Sequence, residues 1–300
     1  MLDGMGGKIA GGRTLTILGC LAVLLLQGCA FTIKDDMLIN KVVVEKRLSE
    51  LAPEHAITVA MPDGDKLEGL FIPSPQARAS VLFLGGNAQS VQGNYRFLTQ
   101  YADKQHVNVM SVNYRGYAFS EGQAHTETLA DDAAIWLEYL RARPEAKGLS
   151  IVMHGLSIGS ITTGAFLGRA HVDGVILEST VTDVRQWEEN AVPGWVKLFV
   201  RLEYGPFITV YDNRSNIKRY NGPLLVITGG QDRLTPPVMS RAVFEASGSA
   251  KKQLLEIPQG GHVGLWVYPE YQGAVDRFLS ELKSEQPAAS VNPTAAIAAN

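Results

Sequence analysis

The chain has 300 residues, 46% of them hydrophobic and 19% charged, enough to bury the core of one large domain and too apolar to stay unfolded. Its formal charge of −3, from 27 basic and 30 acidic residues with no long basic block, argues against a nucleic-acid partner. Both cysteines, Cys20 and Cys29, lie near the start, so the rest of the chain has no disulfide, thiolate nucleophile or cysteine metal site. The six histidines show no metal-ligand spacing, and no metal or organic cofactor is expected.

Lys8 and Arg13 precede an apolar run at residues 15–26. That run is shorter than the ~20 residues of a spanning helix, and a small residue follows it. Together these have the form of a secretory signal. Leu26-Gln27-Gly28-Cys29 resembles the bacterial lipobox. The resemblance implies that residues 1–28 are a signal peptide and that Cys29 is lipidated and becomes the mature N-terminus. Ala30 after the cysteine implies an outer-membrane lipoprotein of the cell envelope, facing the periplasm. An uncleaved N-terminal anchor is the alternative. A mildly acidic domain is then held to the membrane by its lipid and by apolar contact, not by a polybasic patch.

Residues 29–54 read as a connector with some helical character. Apolar runs at 56–60, 67–72, 80–84, 107–112, 149–153, 172–177, 224–228 and 253–257 read as strands, several of them apolar on both faces. Between them lie amphipathic segments. In the segment 126–141, Leu129, Ala133, Trp136, Leu137 and Leu140 share one helical face, with Thr126 as N-cap and Pro144 just beyond the end. That stripe reads as core packing. A last helix, 269–282, closes a domain spanning 55–283, and residues 284–300 read as a disordered tail. Strand–helix alternation of this kind predicts an α/β fold, a mostly parallel sheet with helices on both faces.

The segment 180–220 breaks the rhythm, because a strand-to-helix connection is usually about 2–6 residues. Trp195, Leu198, Phe199 and Leu202 recur in it at helical spacing. It reads either as a helix packed on the body or as a cap insertion whose apolar side takes an acyl chain. In the second reading Trp195, Phe199 and Leu202 bind substrate.

Gly155-Leu156-Ser157-Ile158-Gly159 follows an apolar run and opens a helical segment, 158–169. A serine lifted clear of a sheet needs a sharp strand-to-helix turn, and glycines on both sides avoid collision with the neighbouring strand and helix. The helix N-terminus then aims free N–H groups at developing negative charge, with the Ile158 N–H as first oxyanion donor. A serine hydroxyl also needs a base, and the base an orienting acid. Asp232 follows the run 224–228, and His262 sits in a glycine-rich loop after 253–257. Asp212, the rival acid, precedes its strand. His154 ends a buried strand and reads as hydrogen-bonded packing. The loop Gly85-Gly86-Asn87-Ala88 is the natural source of a second oxyanion donor, the Asn87 N–H first and Ala88 next.

The order Ser157, Asp232, His262, each beyond the end of a strand, is that of the α/β-hydrolases. Gly86-Asn87-Ala88 resembles the HGNA loop of the α/β-hydrolase-domain serine hydrolases. The run from Asn113 to Gly122, Asn-Tyr-Arg-Gly-Tyr-Ala-Phe-Ser-Glu-Gly, resembles their NYRGYGxSxG segment. With Leu177-Glu178-Ser179 and Gly230-Gln231-Asp232, the resemblance spans about residues 56–282. It implies an α/β-hydrolase fold of eight mostly parallel strands, a Ser157–Asp232–His262 triad, and Tyr114 and Arg115 as braces of the oxyanion loop. Gly85, Ser160 and Val263 depart from the histidine, glycine and polar residue usual there. The expected function is a membrane-tethered serine hydrolase acting on small-molecule carboxylic esters or thioesters with lipid-like acyl groups. A peptidase on the same fold and a non-catalytic binding lipoprotein are the alternatives.

Overall fold

A computed structural model describes residues 29–33, 39, 42–126, 128–183, 185–187, 195, 200–204 and 212–282. The expected signal peptide and C-terminal tail lie outside the described residues. Among those described, no helix is long and apolar enough to cross a membrane.

Among the described residues ten strands run in chain order: β1 (Cys29–Ile33), β2 (Ala56–Ala60), β3 (Lys66–Ile72), β4 (Ala79–Leu84), β5 (Val107–Val112), β6 (Ser150–Leu156), β7 (Gly174–Glu178), β8 (Val200–Tyr204), β9 (Leu224–Gly229) and β10 (Lys252–Ile257). Eight of them form one sheet in the order β10-β9-β7-β6-β4-β5-β3-β2. Only β3 runs antiparallel to its neighbours, β2 and β5; the remaining pairs are parallel. The strands at the middle of the sheet are buried along their whole length, in keeping with their largely apolar sequences.

Five longer helices cover the sheet: α1 (Val91–Gln105), α2 (Leu129–Arg141), α3 (Ile158–Phe166), α4 (Pro237–Ala246) and α5 (Pro269–Glu281). Alternate residues of β4 divide the core. Leu82 and Leu84 face a cluster built with Trp136 and Leu137 of α2 and Phe166 of α3. Val81 and Phe83 face a second cluster with Phe97 and Leu98 of α1 and Tyr271 and Phe278 of α5. The apolar stripe Leu129, Ala133, Trp136, Leu137 and Leu140 is buried, as a packing face should be.

Several local expectations need correction. The helix α2 starts after Thr128, and Thr126 does not cap it but is buried before it. The strand β6 continues through His154 to Leu156, because the polar imidazole finds partners inside the protein. The helix α3 stops at Phe166, short of 169, and Gly168 follows with φ +91°. The connector 29–54 has its expected helical character and a strand besides. It begins with β1, which pairs in parallel with β8 of the insertion (Cys29↔Val200 to Ile33↔Tyr204), and carries one short helical turn, Leu48–Leu51. The insertion is also narrower than 180–220. Thr180, Val181 and Thr182 are buried at its start, and Asn213, Asn216, Ile217 and Tyr220 are buried in the body after it.

Candidate active site

The loops after β4, β6, β7, β9 and β10 leave the sheet at its carboxyl edge, where ligands of open α/β sheets sit. Ser157 directly follows β6 with φ +54° and ψ −114°, a conformation that costs a non-glycine residue about 1–3 kcal/mol. Its surroundings enforce it. The Ser157 N–H donates to the Glu178 carbonyl at 2.9 Å. A side chain on Gly155 would collide with the Gly159 carbonyl, and one on Gly159 with the Leu84 carbonyl. The two glycines of the motif therefore let α3 and the loop after β4 close on the serine from opposite sides.

The structure brings Ser157, Asp232 and His262 together from positions far apart in sequence. His262 Nε2 lies 3.1 Å from Ser157 Oγ, and His262 Nδ1 lies 2.8 Å from Asp232 Oδ2. Asp232 is buried, whereas the His262 side chain keeps 19% of its surface exposed. Asp232 Oδ1 accepts the N–H groups of Leu234 (2.9 Å) and Thr235 (2.8 Å), and Oδ2 lies 2.7 Å from the Thr235 hydroxyl. Burial pushes this carboxyl up, but the bonds from His262 and from Thr235 outweigh it and hold Asp232 below the ordinary carboxylate range. The acid thus stays ionised beside the imidazole, fixing Nδ1 as the protonated nitrogen and leaving Nε2 to accept from the serine. The rival Asp212 instead caps the short helix Asn213–Asn216 by accepting the Ser215 N–H.

Two residues that the sequence did not single out complete this geometry. Thr235 Oγ1 reaches both Asp232 Oδ2 and, at 3.1 Å, the Ser179 carbonyl. Ser179, at φ +48° just past β7, places its hydroxyl 2.8 Å from the His262 carbonyl. The pair Glu178-Ser179 therefore touches the serine, acid and histidine loops at once. An Asp followed three residues later by Thr was the available sign for Thr235; for Ser179 it was the run Leu177-Glu178-Ser179 on which the resemblance partly rests.

At the expected oxyanion loop, the Asn87 Oδ1 accepts the Tyr117 hydroxyl at 2.8 Å and the Ala88 N–H at 3.0 Å. That bond occupies the second-choice donor Ala88, which stands at φ +56°. Tyr114 donates to the Gly85 carbonyl at 3.0 Å, and Asn113 Oδ1 accepts the Val91 N–H at 2.8 Å. The segment 113–122 thus braces the loop, as the resemblance implied for Tyr114. Arg115 braces one layer further out, with Asp132 (2.9 Å), Asp63 (2.8 Å) and Asp65 (2.5 Å). Ile158, first residue of α3, offers its N–H with no partner inside the helix. Ser160, where glycine is usual, places its hydroxyl 2.6 Å from the Ser157 carbonyl and 2.9 Å from Thr180 Oγ1.

The substrate-binding candidates are less defined. Trp195 is 68% exposed, so it is not packed on the triad. Phe199 lies outside the described residues, and Leu202 is described only as part of the β8 backbone. Cys29 likewise is described only as the start of β1.

A central sheet of this order, with the elbow after β6 and the acid and base after β9 and β10, defines an α/β-hydrolase fold. The comparisons agree. The model of the family described as "Chlamydia CHLPS protein (DUF818)" matches residues 70–181. Protein bem46 of Schizosaccharomyces pombe is 26% identical over 219 residues, covering 72% of each chain. The α/β hydrolase domain-containing protein WAV2 of Arabidopsis thaliana is 28% identical over 223 residues, covering 68% of this chain and 71% of its own. Among solved structures, the esterase Pf2001 of Pyrococcus furiosus superposes with a TM-score of 0.64 at 19% identity, over 81% of this chain and 98% of the esterase.

Proposed function

We propose that the protein is a serine hydrolase that cleaves carboxylic esters or thioesters of lipid-like acyl groups while tethered to a membrane. The observation that carries this reading is the continuous relay from Asp232 through His262 to Ser157 at 2.8 and 3.1 Å, with the serine held in a strained turn at a helix N-terminus. The fold shared with an esterase supports it.

In this mechanism Ser157 Oγ attacks the acyl carbonyl carbon while His262 Nε2 takes its proton. Asp232 keeps the imidazole in the working tautomer and stabilises the imidazolium. The N–H groups of Ile158 and Asn87 receive the negative charge on the tetrahedral oxygen. His262 passes the proton to the leaving alkoxide or thiolate, and the C–O or C–S bond breaks to leave an ester on Ser157. Water, deprotonated by His262, then attacks that ester; the acyl C–O bond to Ser157 breaks, His262 returns the proton to Ser157 Oγ, and the carboxylic acid is released. These steps need only the residues named and water.

A fluorophosphonate probe tests the reading. Labelling of the wild type that Ser157→Ala abolishes is the expected result, together with turnover in a panel of acyl esters and thioesters of graded length. A wild type that does not label, or that releases amines from peptides and ignores esters, overturns it. The tether is tested separately by Cys29→Ser, which is expected to release the protein from membranes of the cell envelope. Persistent membrane association of that variant would make residues 15–26 the anchor.

A further inference from the structure

We infer that the end of the body carrying the triad is itself a bilayer-facing surface, so that acyl substrates reach Ser157 from the membrane and not from water. The inference rests on the hydrolase reading above and deepens it by naming the source of the substrate.

Single exposed apolar side chains are ordinary on protein surfaces; their concentration at one end is not. Among the described residues, Val43, Leu234, Val238, Val263 and Val267 are each at least 46% exposed; Trp195, in the insertion, is exposed as well. Leu234 lies two residues beyond Asp232, and Val238 is in the first turn of α4, which starts at the carboxyl edge of the sheet. Val263 adjoins His262, and Val267 ends the short helical turn after it. Val43 follows Val42, whose carbonyl accepts the Ala118 N–H at 2.7 Å, next to the Tyr117 that holds Asn87. Leu51, beside the β2–β3 edge of the sheet, is the exception.

The polarity of the acid loop is inverted relative to a loop that meets only water. Asp232 and Thr235 are turned in and buried, while Leu234 and Val238 are turned out. The inward turn is explained by the triad, since both polar residues serve His262. The outward turn of the apolar ones is not. Arg233, exposed between them, supplies a cation where headgroup phosphates would lie.

The chain itself indicates which partner covers this rim. The apolar run 15–26 and Cys29 lead directly into β1, which pairs with β8. The strand β8 belongs to the insertion that leaves the sheet after β7, at the edge that also carries Ser157. Ile39 is buried in the body and Val42 is bonded beside the oxyanion loop. The membrane tether therefore joins the body at the end that carries the exposed apolar residues. A lipid on Cys29 and the rim would engage one bilayer together, which a mildly acidic domain without a basic patch requires.

The test compares two esters on the full-length protein: a short-chain p-nitrophenyl ester in solution, and a long-chain one embedded in phosphatidylcholine vesicles. Val238→Glu/Val267→Glu is expected to keep turnover of the soluble ester within about twofold and to lower turnover of the vesicle-borne ester by about tenfold or more. Val238→Ser/Val267→Ser, which adds no charge, is expected to lower it less but in the same direction. Leu51→Glu, away from the rim, is expected to change neither. Unchanged vesicle turnover in the Glu variant overturns the inference, as does an equal loss in Leu51→Glu. A Glu variant that instead dissociates a dimer of this chain, with vesicle turnover intact, makes the rim a self-contact and also overturns it. If the wild type hydrolyses the soluble ester but the rim variants behave like it on vesicles, only this inference fails. If the wild type hydrolyses neither ester, the hydrolase reading fails with it.

Discussion

Among the described residues, two histidine–carboxylate pairs join neighbouring strands or the loops that follow them, and the two differ in what the second ring nitrogen meets. His154 Nε2 lies 3.1 Å from Glu178 Oε2, a bond comparable to the 2.8 Å between His262 Nδ1 and Asp232 Oδ2. The difference is at the other ring nitrogen. His154 Nδ1 meets the Tyr101 hydroxyl at 3.2 Å, and burial holds that phenol far above its ordinary range, so it remains a donor. Tyr271 also donates to Glu178, and the whole group is buried under the sheet among aromatic rings. His262 instead turns its second nitrogen to a serine at a partly open surface. A carboxylate-oriented imidazole is thus common to a structural lock and to a base; what separates them is whether the remaining nitrogen faces a nucleophile that substrate can reach.

That contrast can be tested in order of expected size. Ser157→Ala and His262→Ala are each expected to lower ester turnover by at least about a thousandfold, with thermal melting near that of the wild type. His154→Leu should do the reverse. It strips the buried Glu178 of a donor and is expected to cost about 2 kcal/mol of stability in denaturant titrations, while kcat per folded molecule stays within about threefold. Loss of turnover on the scale of His262→Ala would show the buried pair to be catalytic after all. Thr235→Val removes one bond to Asp232 and is expected to lower kcat by about tenfold with KM little changed. The smallest effect concerns pH. Asp232 is held below its ordinary range in the folded protein, so its contribution to stability is present above that range and is lost as pH falls through it. Denaturation midpoints at neutral and acid pH should therefore fall more in the wild type than in Asp232→Asn.

Much of this was legible in the chain. The apolar runs marked the eight strands of the main sheet, because strands covered on both faces, as the central ones are, must be largely apolar, and Ser157, Asp232 and His262 followed from loops placed after such runs. What escaped the sequence were features decided by partners distant in the chain. The strand β6 was read as ending at His154 and runs two residues further, to Leu156; Glu178 and Tyr101, which satisfy the imidazole, come from another strand and a helix. Thr126 looked like an N-cap on local chemistry alone, yet the helix starts beyond Thr128. Ser179 meets the Thr235 and His262 loops only because β9 lies beside β7 and β10 beside β9, so that the loops after both reach it. The pairing of β1 with β8 joins residues separated by most of the domain, and no local pattern announces it.

The insertion that bears β8 is spliced between two strands that do not depend on it. The strands β7 and β9 pair directly, from Val175↔Leu224 to Glu178↔Ile227, and the ends of the splice are sewn together by the Asn213 N–H on the Thr182 carbonyl at 2.7 Å. The Asn213 side-chain amide, 2.9 Å from Thr180 Oγ1, adds a second stitch. Whatever is grafted between those stitches leaves the sheet and its reactive loops in register. A different segment could therefore be set between the same stitches with the loops that carry Ser157, Asp232 and His262 left where they are.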